Sequence, residues 1–219
     1  MISTVFSRRW DLRLPVITRY MESQFVDDFF NEGKLRLSSF KKFRNNPDEQ
    51  QGDVAEGRAN MKIATPNGNH TILATNGQEA YVLCGGTVEN KNMEASFKTA
   101  DGFRIMNTLA FADAISRHIP GFISGMEGLC SYRESLLIND YDEKPIVPPD
   151  QFASPEEWSK EYDKYVAEKA SAAFFIKQLK FSHQGEYRFI WFTTSSDEKE
   201  YLDIVCPEAR RFCQRLAGT

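Results

Sequence analysis

The run from Gly185 to Thr194, GEYRFIWFTT, constrains the fold more than any other segment, because most of its residues favour a β-strand. Successive side chains of a strand point to opposite faces, so Glu186 and Arg188 share one face with Ile190 and Phe192. The other face carries three aromatic side chains, Tyr187, Phe189 and Trp191. Two charged groups are therefore expected among large apolar neighbours.

The Glu186-x-Arg188 pair has two interpretations. A glutamate and an arginine two residues apart commonly form a structural ion pair at the margin of a sheet. Alternatively, the carboxylate lies on the floor of a pocket beside a cation, where desolvation and charge set its pKa for catalysis. The pattern of the strand is compatible with both.

The rest of the chain predicts a single α+β domain, with an antiparallel or mixed sheet and a few flanking helices. We expect an N-terminal tail over 1–13, an α+β core over 14–205 and a C-terminal helix within 206–219. Strands are predicted over 14–20, 34–40, 102–109, 130–138, 185–194 and 201–205, with a meander of two or three strands over 58–86. Helices are predicted over 22–32, 110–118, 154–177 and 207–216.

Composition narrows the possible functions. With 17 phenylalanines and 41% hydrophobic residues, the 219-residue chain can bury one sizeable core. Its 3 histidines and 4 cysteines show no C-x-x-C spacing, which disfavours a zinc site, a haem site or a disulfide scaffold. The net charge of -4 lacks the basic excess typical of dedicated nucleic-acid binders.

The chain shows no apolar run near the roughly 20 residues of a membrane helix, and its N-terminus lacks the apolar stretch of a signal peptide. We therefore expect a cytoplasmic protein that makes no membrane contact. Its four cysteines are expected to be reduced thiols of the core.

Three separated segments resemble the signatures of a large, mostly bacterial family of unknown function. They are Arg19-Tyr20, then Ser38-Ser39 with Phe43 and Asn46-Pro47-Asp48, and lastly the stretch from Lys180 to Arg188. The family signatures are Tyr-Lys-Tyr, Ser-Ser-x-Phe-Asn-Asp-Pro and Trp-x-x-Glu-x-Glu-Trp-Arg. The order matches, but Phe181 replaces the tryptophan and Gln184 the first glutamate, and extra residues separate Phe43 from the Asn-Pro pair.

This arrangement is also similar to the plan of ADP-ribosyltransferases, in which an early strand gives an Arg or His, a second strand gives a hydroxyl or aromatic motif and a late strand gives the catalytic glutamate. The resemblance implies an ADP-ribosyltransferase-like fold and NAD as the substrate. It also implies transfer of ADP-ribose to a protein or nucleic-acid acceptor, as in a bacterial or phage toxin or defence effector.

The resemblance also implies roles for individual residues. Glu186, with Arg188 beside it, would be catalytic, because a carboxylate stabilises the oxocarbenium-like ribose formed when the nicotinamide bond breaks. Arg19 would bind the pyrophosphate. The hydroxyl of Ser38 or Ser39 would form a hydrogen bond with the nicotinamide ribose or support Glu186. The ring of Tyr20 or Phe40 would stack on a base of NAD. Arg19 can equally pair with an acidic neighbour, and the two serines can simply end a strand.

Two other functions stay open. The acidic residues of the 41–57 loop could hold a divalent cation for a nuclease or phosphodiesterase, although their spacing fits no calcium loop. They are Asp48, Glu49, Asp53 and Glu56. The chain could also be a non-enzymatic module that contacts a protein partner through exposed aromatic residues. Among the histidines, His183 alone lies near the candidate site in sequence.

Overall fold

A computed structural model describes residues 15–46, 55–65, 68–75, 77, 79–87, 101–139, 151–194 and 199–216. The strands are β1 (Ile17–Tyr20), β2 (Lys34–Ser39), β3 (Arg58–Thr65), β4 (Gly68–Thr75), β5 (Ala80–Gly86), β6 (Gly102–Ile105), β7 (Phe122–Leu129), β8 (Ser131–Arg133), β9 (Leu137–Asn139), β10 (Ile176–Gln178), β11 (Glu186–Thr193), β12 (Tyr201–Val205) and β13 (Cys213–Arg215). The α-helices are α1 (Ser23–Glu32), α2 (Phe40–Asn45), α3 (Thr108–Ser116) and α4 (Pro155–Ala170). Three 3₁₀ segments cover Ser171–Phe175, Leu179–Gln184 and Pro207–Phe212.

The strands form one large open sheet and two small ones. Eight strands make the large sheet in the order β12-β2-β5-β1-β6-β13, with β11 beside β5 and β7 beside β11. All of its recorded pairings are antiparallel, whereas β3 with β9 and β10 with β8 pair in parallel in the small sheets. The protein is thus a mixed α/β structure with a mostly antiparallel sheet and few helices, as the sequence predicts.

Strand β5 organises the large sheet, because three strands pair with it. β11 occupies one edge from end to end, with Glu186 opposite Gly86 and Phe192 opposite Ala80. β2 and β1 share the other edge, β2 at Tyr81 and Val82 and β1 at Gly86. Two strands therefore pair with different parts of this second edge of β5. As a result, the candidate residues of β1 and β2 lie at different levels along β5.

The two faces of the large sheet carry separate cores. The aromatic face of β11 packs with α1, α3 and the 3₁₀ segment at 207–212 in the larger core. On the opposite face, Ile190 packs with Phe40, Val82 and Phe174 in the smaller one. By strand alternation, Glu186 and Arg188 lie on this second face, beside the smaller core.

Helix α1 ends where the sequence predicts, at Gly33. This glycine has φ +80° and closes the helix through its N–H, which donates to the carbonyl oxygen of Phe29 at 2.8 Å. A Cβ at this position would lie 2.5 Å from the backbone nitrogen of Pro207. The close packing of the Pro207 backbone against residue 33 therefore also requires glycine there.

Several predicted elements are wrong in type or length. The helix expected over 154–177 ends at Ala170, and β10 occupies part of the remainder. The helix expected over 207–216 is a 3₁₀ segment followed by β13, because residues 213–215 pair with β6. Strand β7 lies in a stretch with no predicted element, since its two glycines weaken the local signal and its pairing with β11 overrides it. No helix among the described residues combines the length and apolar content needed to span a membrane.

Candidate functional site

Glu186 and Arg188 belong to a buried network that also contains Lys177 and Glu56. The four side chains come from β11, from β10 and from the turn before β3. Their side chains are between 1% and 9% exposed, so water screens the charges weakly. We call this set the Glu186 network.

Both carboxylate oxygens of Glu186 are bound by cations. Oε2 lies 2.6 Å from Nζ of Lys177, and Oε1 accepts a hydrogen bond from Nε of Arg188 at 2.5 Å. Lys177 also donates to Oε1 of Gln184 at 2.9 Å. The backbone N–H of Glu186 donates to the hydroxyl oxygen of Tyr132 at 2.7 Å, which fixes the start of the strand.

Arg188 is the more firmly held of the two cations. Its Nη1 donates to the carbonyl oxygen of Phe174 at 2.5 Å and lies 2.5 Å from Oε1 of Glu56. The Glu56 contact is an ion pair between two buried side chains. The backbone carbonyl of Glu56 accepts from Nη1 of Arg44 at 3.1 Å, which connects the network to α2.

Electrostatics keep the network ionised. Burial raises the pKa of the Glu186 carboxyl, but Arg188 and then Lys177 outweigh that effect and lower this pKa to about 2. Burial lowers the pKa of Lys177, yet Glu186 and Glu56 leave it above its ordinary value. Two carboxylates and two cations therefore balance one another at neutral pH.

The thiols beside the network are poor nucleophiles. Cys84 lies directly opposite Arg188 in the ladder between β5 and β11. Burial raises the pKa of Cys84 well above its ordinary value and that of Cys130 to about 12. Both thiols are consequently protonated near neutral pH, which argues against covalent catalysis by cysteine here.

Arg19 lies at the same end of β5 as Glu186. Thr18 and Glu186 both face Gly86 from opposite edges, so their backbones are two strand spacings, about 10 Å, apart. Nη1 of Arg19 donates to the carbonyl oxygen of Cys84 at 2.5 Å, whereas its buried Nε has no hydrogen-bond partner among the described residues. The structure thus places Arg19 at this end of the sheet, and the described residues show no ion pair between it and the network.

The two serines and Phe40 do not join this group. Ser38 faces Val82, four residues along β5 from Gly86 and so about 13 Å from the level of Glu186. Ser39 Oγ accepts from the N–H of Lys42 at 3.2 Å and caps α2. Phe40 is fully buried against Phe174, so its ring has no exposed face for a nucleotide base. Tyr20, opposite Gly102 on β1, is half-buried.

The acidic loop contributes one described residue to the site. Glu56 contacts Arg188, whereas Asp48, Glu49 and Asp53 lie outside the described residues. Among the residues that the structure describes, Glu56 and Glu186 belong to no group of three metal-ligating side chains. His183 is exposed, and its ring nitrogen Nδ1 lies 3.2 Å from the carbonyl oxygen of Lys180.

Sequence reasoning missed Lys177 and the pairing of Glu56 with Arg188. Lys177 falls at the end of a predicted helix, and no spacing rule connects it to a glutamate nine residues later. One signal was present, since a buried strand with a glutamate and an arginine requires further polar partners.

Comparisons of the chain with protein-family models, with curated proteins and with solved structures found no match. Function is therefore inferred from the residues of the chain and their geometry.

Proposed function

We propose that the protein is an ADP-ribosyltransferase-like enzyme that cleaves the nicotinamide glycosidic bond of NAD, with Glu186 as its catalytic carboxylate. The observation that carries this proposal is a buried glutamate, held by two cations, at the first position of a central strand and at the same end of β5 as Arg19. Such a carboxylate supplies the negative charge that an oxocarbenium-like transition state needs.

In the proposed reaction, the bond between the ribose C1′ and the pyridinium nitrogen breaks, and its electron pair leaves with nicotinamide, which departs neutral. The ribose becomes positively charged, and Glu186 stabilises that charge while accepting a hydrogen bond from a ribose hydroxyl. A nucleophilic atom of the acceptor then bonds to C1′ and loses its proton. Protein, nucleic acid and water are the acceptor classes to be tested.

The cations of the network decide which carboxylate oxygen the ribose can use. Oε1 is held by Arg188, which is itself fixed by Phe174 and Glu56. Oε2 is held by the ammonium of Lys177, a point charge on a flexible stem. We therefore assign Oε2 to the ribose hydroxyl and propose that Lys177 and Arg19 face the pyrophosphate of NAD.

The test is NAD turnover by the purified chain. NAD labelled in the nicotinamide ring reports bond cleavage, and NAD labelled in the adenylate reports transfer to proteins or nucleic acids of a lysate. Glu186→Gln should abolish both signals, whereas Glu134→Gln, a change at an exposed residue, should leave them intact. Absence of both nicotinamide release and label transfer by the unaltered protein would overturn the proposal.

Because Glu186 is buried among cations, its variant needs a binding control. Calorimetry with NAD separates loss of catalysis from loss of folding, since a folded Glu186→Gln protein should still bind NAD through Arg19. If Lys177→Met binds NAD and cleaves it at the unaltered rate and affinity, the role assigned to the Lys177 ammonium is wrong.

A further inference from the structure

An imidazole, a thiol and a carboxylate meet on the opposite face of the sheet from the Glu186 network. They belong to His118, Cys206 and Glu208, whose potential ligand atoms all lie within 4.8 Å of one another. Nε2 of His118 is 2.6 Å from Oε1 of Glu208. Cys206 is part of the larger core, so this cluster is separate from the proposed NAD site.

The backbone holds the three residues in place. His118 follows α3 and its N–H donates to the carbonyl oxygen of Ile115 at 2.9 Å. The N–H of Cys206 donates to the carbonyl oxygen of Gly33 at 2.8 Å, at the end of α1. Glu208 lies in the 3₁₀ segment that begins at Pro207. The cluster therefore joins the end of α3 to the start of the 3₁₀ segment, whose N-cap is Cys206.

The spacing suits a four-coordinate metal ion. Zinc binds sulfur at about 2.3 Å and nitrogen or oxygen at about 2.0–2.2 Å, which places neighbouring tetrahedral ligand atoms about 3.3–3.6 Å apart. The contact between His118 and Glu208 has to open by less than about 1 Å to reach that spacing. Side-chain rotation alone can supply such a movement, because both side chains are partly exposed.

Burial gives the cluster an inner and an outer side. Cys206 is fully buried, whereas the side chains of His118 and Glu208 are 31% and 38% exposed. Glu208 also lines an open cavity of about 520 Å³ with Phe30 and Arg211. An ion bound between these residues would have the thiolate on its protein side and room for a water molecule on its solvent side.

We propose that His118, Cys206 and Glu208 bind one Zn²⁺ ion, with water as the fourth ligand and release of the Cys206 thiol proton to solvent. A mixed sulfur, nitrogen and oxygen set is typical of zinc, whereas calcium and magnesium favour oxygen ligands alone. The bound ion joins residue 118 to residues 206 and 208, so it fastens the end of α3 to the 3₁₀ segment.

A nucleophilic cysteine assisted by histidine explains the cluster less well. Cys206 has no exposed surface, so a substrate cannot reach its sulfur. Metal coordination accounts for all three side chains and needs no access of a substrate to the sulfur.

The test is titration of the chelator-treated full chain with Zn²⁺ by calorimetry, followed by Co²⁺ as a spectroscopic probe. We expect one ion per chain, a rise in the Tm of the protein and a thiolate-to-cobalt charge-transfer band. Cys206→Ser should weaken zinc binding at least about 100-fold and remove the band. Cys130→Ser, the matched control at another buried thiol, should change neither.

His118→Gln keeps the test valid if Cys206→Ser fails to fold, because His118 is partly exposed and its loss leaves the core intact. It should also weaken binding at least about 100-fold. The proposal is overturned if the unaltered chain binds no zinc, if the cobalt complex lacks the charge-transfer band, or if His118→Gln binds zinc as tightly as the unaltered chain.

Discussion

Lys177 and Glu186 form an ion pair of 2.6 Å in which each side chain is less than a tenth exposed. Removing two charges from water is costly, so such a pair contributes little net stability even when its geometry is good. Removing one partner is different, since it leaves the other charge buried and less well compensated. The pair therefore makes the Glu186 network sensitive to single substitutions.

Lys177→Met should lower the free energy of unfolding by about 3 kcal/mol, because it removes the charge while keeping most of the side-chain volume. Urea denaturation followed by circular dichroism measures this change. Lys180→Met is the matched control, since both lysines lie over the ring of Phe181 at 4.8 Å but Lys180 is exposed. Lys180→Met should lower the free energy of unfolding by less than about 1 kcal/mol. Equal losses in the two variants would show that the buried charge is unimportant.

Acid should destabilise the protein through Glu186. Its carboxyl has a pKa of about 2 in the folded protein and about 4.3 when unfolded, so its contribution is complete above the unfolded pKa. That contribution, about 3 kcal/mol, is lost as the pH falls from about 4.3 to about 2. Glu186→Gln should therefore show a flatter decline of unfolding free energy over this window.

The control for acid sensitivity is Asp203→Asn. Asp203 also has a lowered pKa, through its hydrogen bond with Arg36, but its side chain is 65% exposed. Solvent screening limits such a pair to less than about 1 kcal/mol, so its variant should follow the unaltered profile closely. A Glu186→Gln profile parallel to that of the unaltered protein would contradict the assignment.

Alanine substitutions at Ser38 and Ser39 should change the stability of the protein by different amounts. Ser39→Ala removes the cap of α2 and should lower the unfolding free energy by about 1 kcal/mol. Ser38→Ala should stay within about 0.5 kcal/mol of the unaltered protein, since Ser38 is half-buried and its side chain has no hydrogen bond to the described residues. Thermal denaturation of both variants tests this difference. A larger loss for Ser38→Ala would indicate a structural role for its hydroxyl.

Gly102→Ala should damage the strand that carries Arg19. A Cβ at Gly102 would lie 2.1 Å from the carbonyl oxygen of Arg19, so the backbone of β1 has to move. We expect a loss of about 2–3 kcal/mol of unfolding free energy. Gly128→Ala is the control, because a Cβ at Gly128 would lie no closer than 3.4 Å to its nearest neighbour, the ring of Phe175. This variant should lower the free energy of unfolding by less than about 1 kcal/mol. Comparable denaturation midpoints would contradict this reading of the contact.

The elements with strong local signals were predictable from the sequence. Helix α1 has apolar residues at helical spacing and a glycine stop, while β11 combines aromatic and β-branched residues. Both were placed to within one residue at each end, and β12 was predicted with its observed bounds. These segments have local preferences that agree with their tertiary contacts.

The other elements depend on partners distant in sequence. β13 is a strand because residues 213–215 meet β6, although their local composition favours a helix. The position of Lys177 follows from β10 pairing with β8, which no periodicity reveals. The charged face of β11 was predictable, but the cations and carboxylate that complete it were not.

The pairing of β2 with β12 has a consequence for how the protein is made. It joins residues such as Arg36 and Asp203, which are 167 positions apart. Strand β13 likewise pairs with a strand far earlier in the chain, since Cys213 lies opposite Ile105 of β6. Folds dominated by such distant contacts mature slowly, because the loop must close before the contacts form. The ribosome releases β1 and β2 before β5, β6 and β12, which pair with them, and one edge each of β2 and β6 stays unpaired until residues 201–215 emerge.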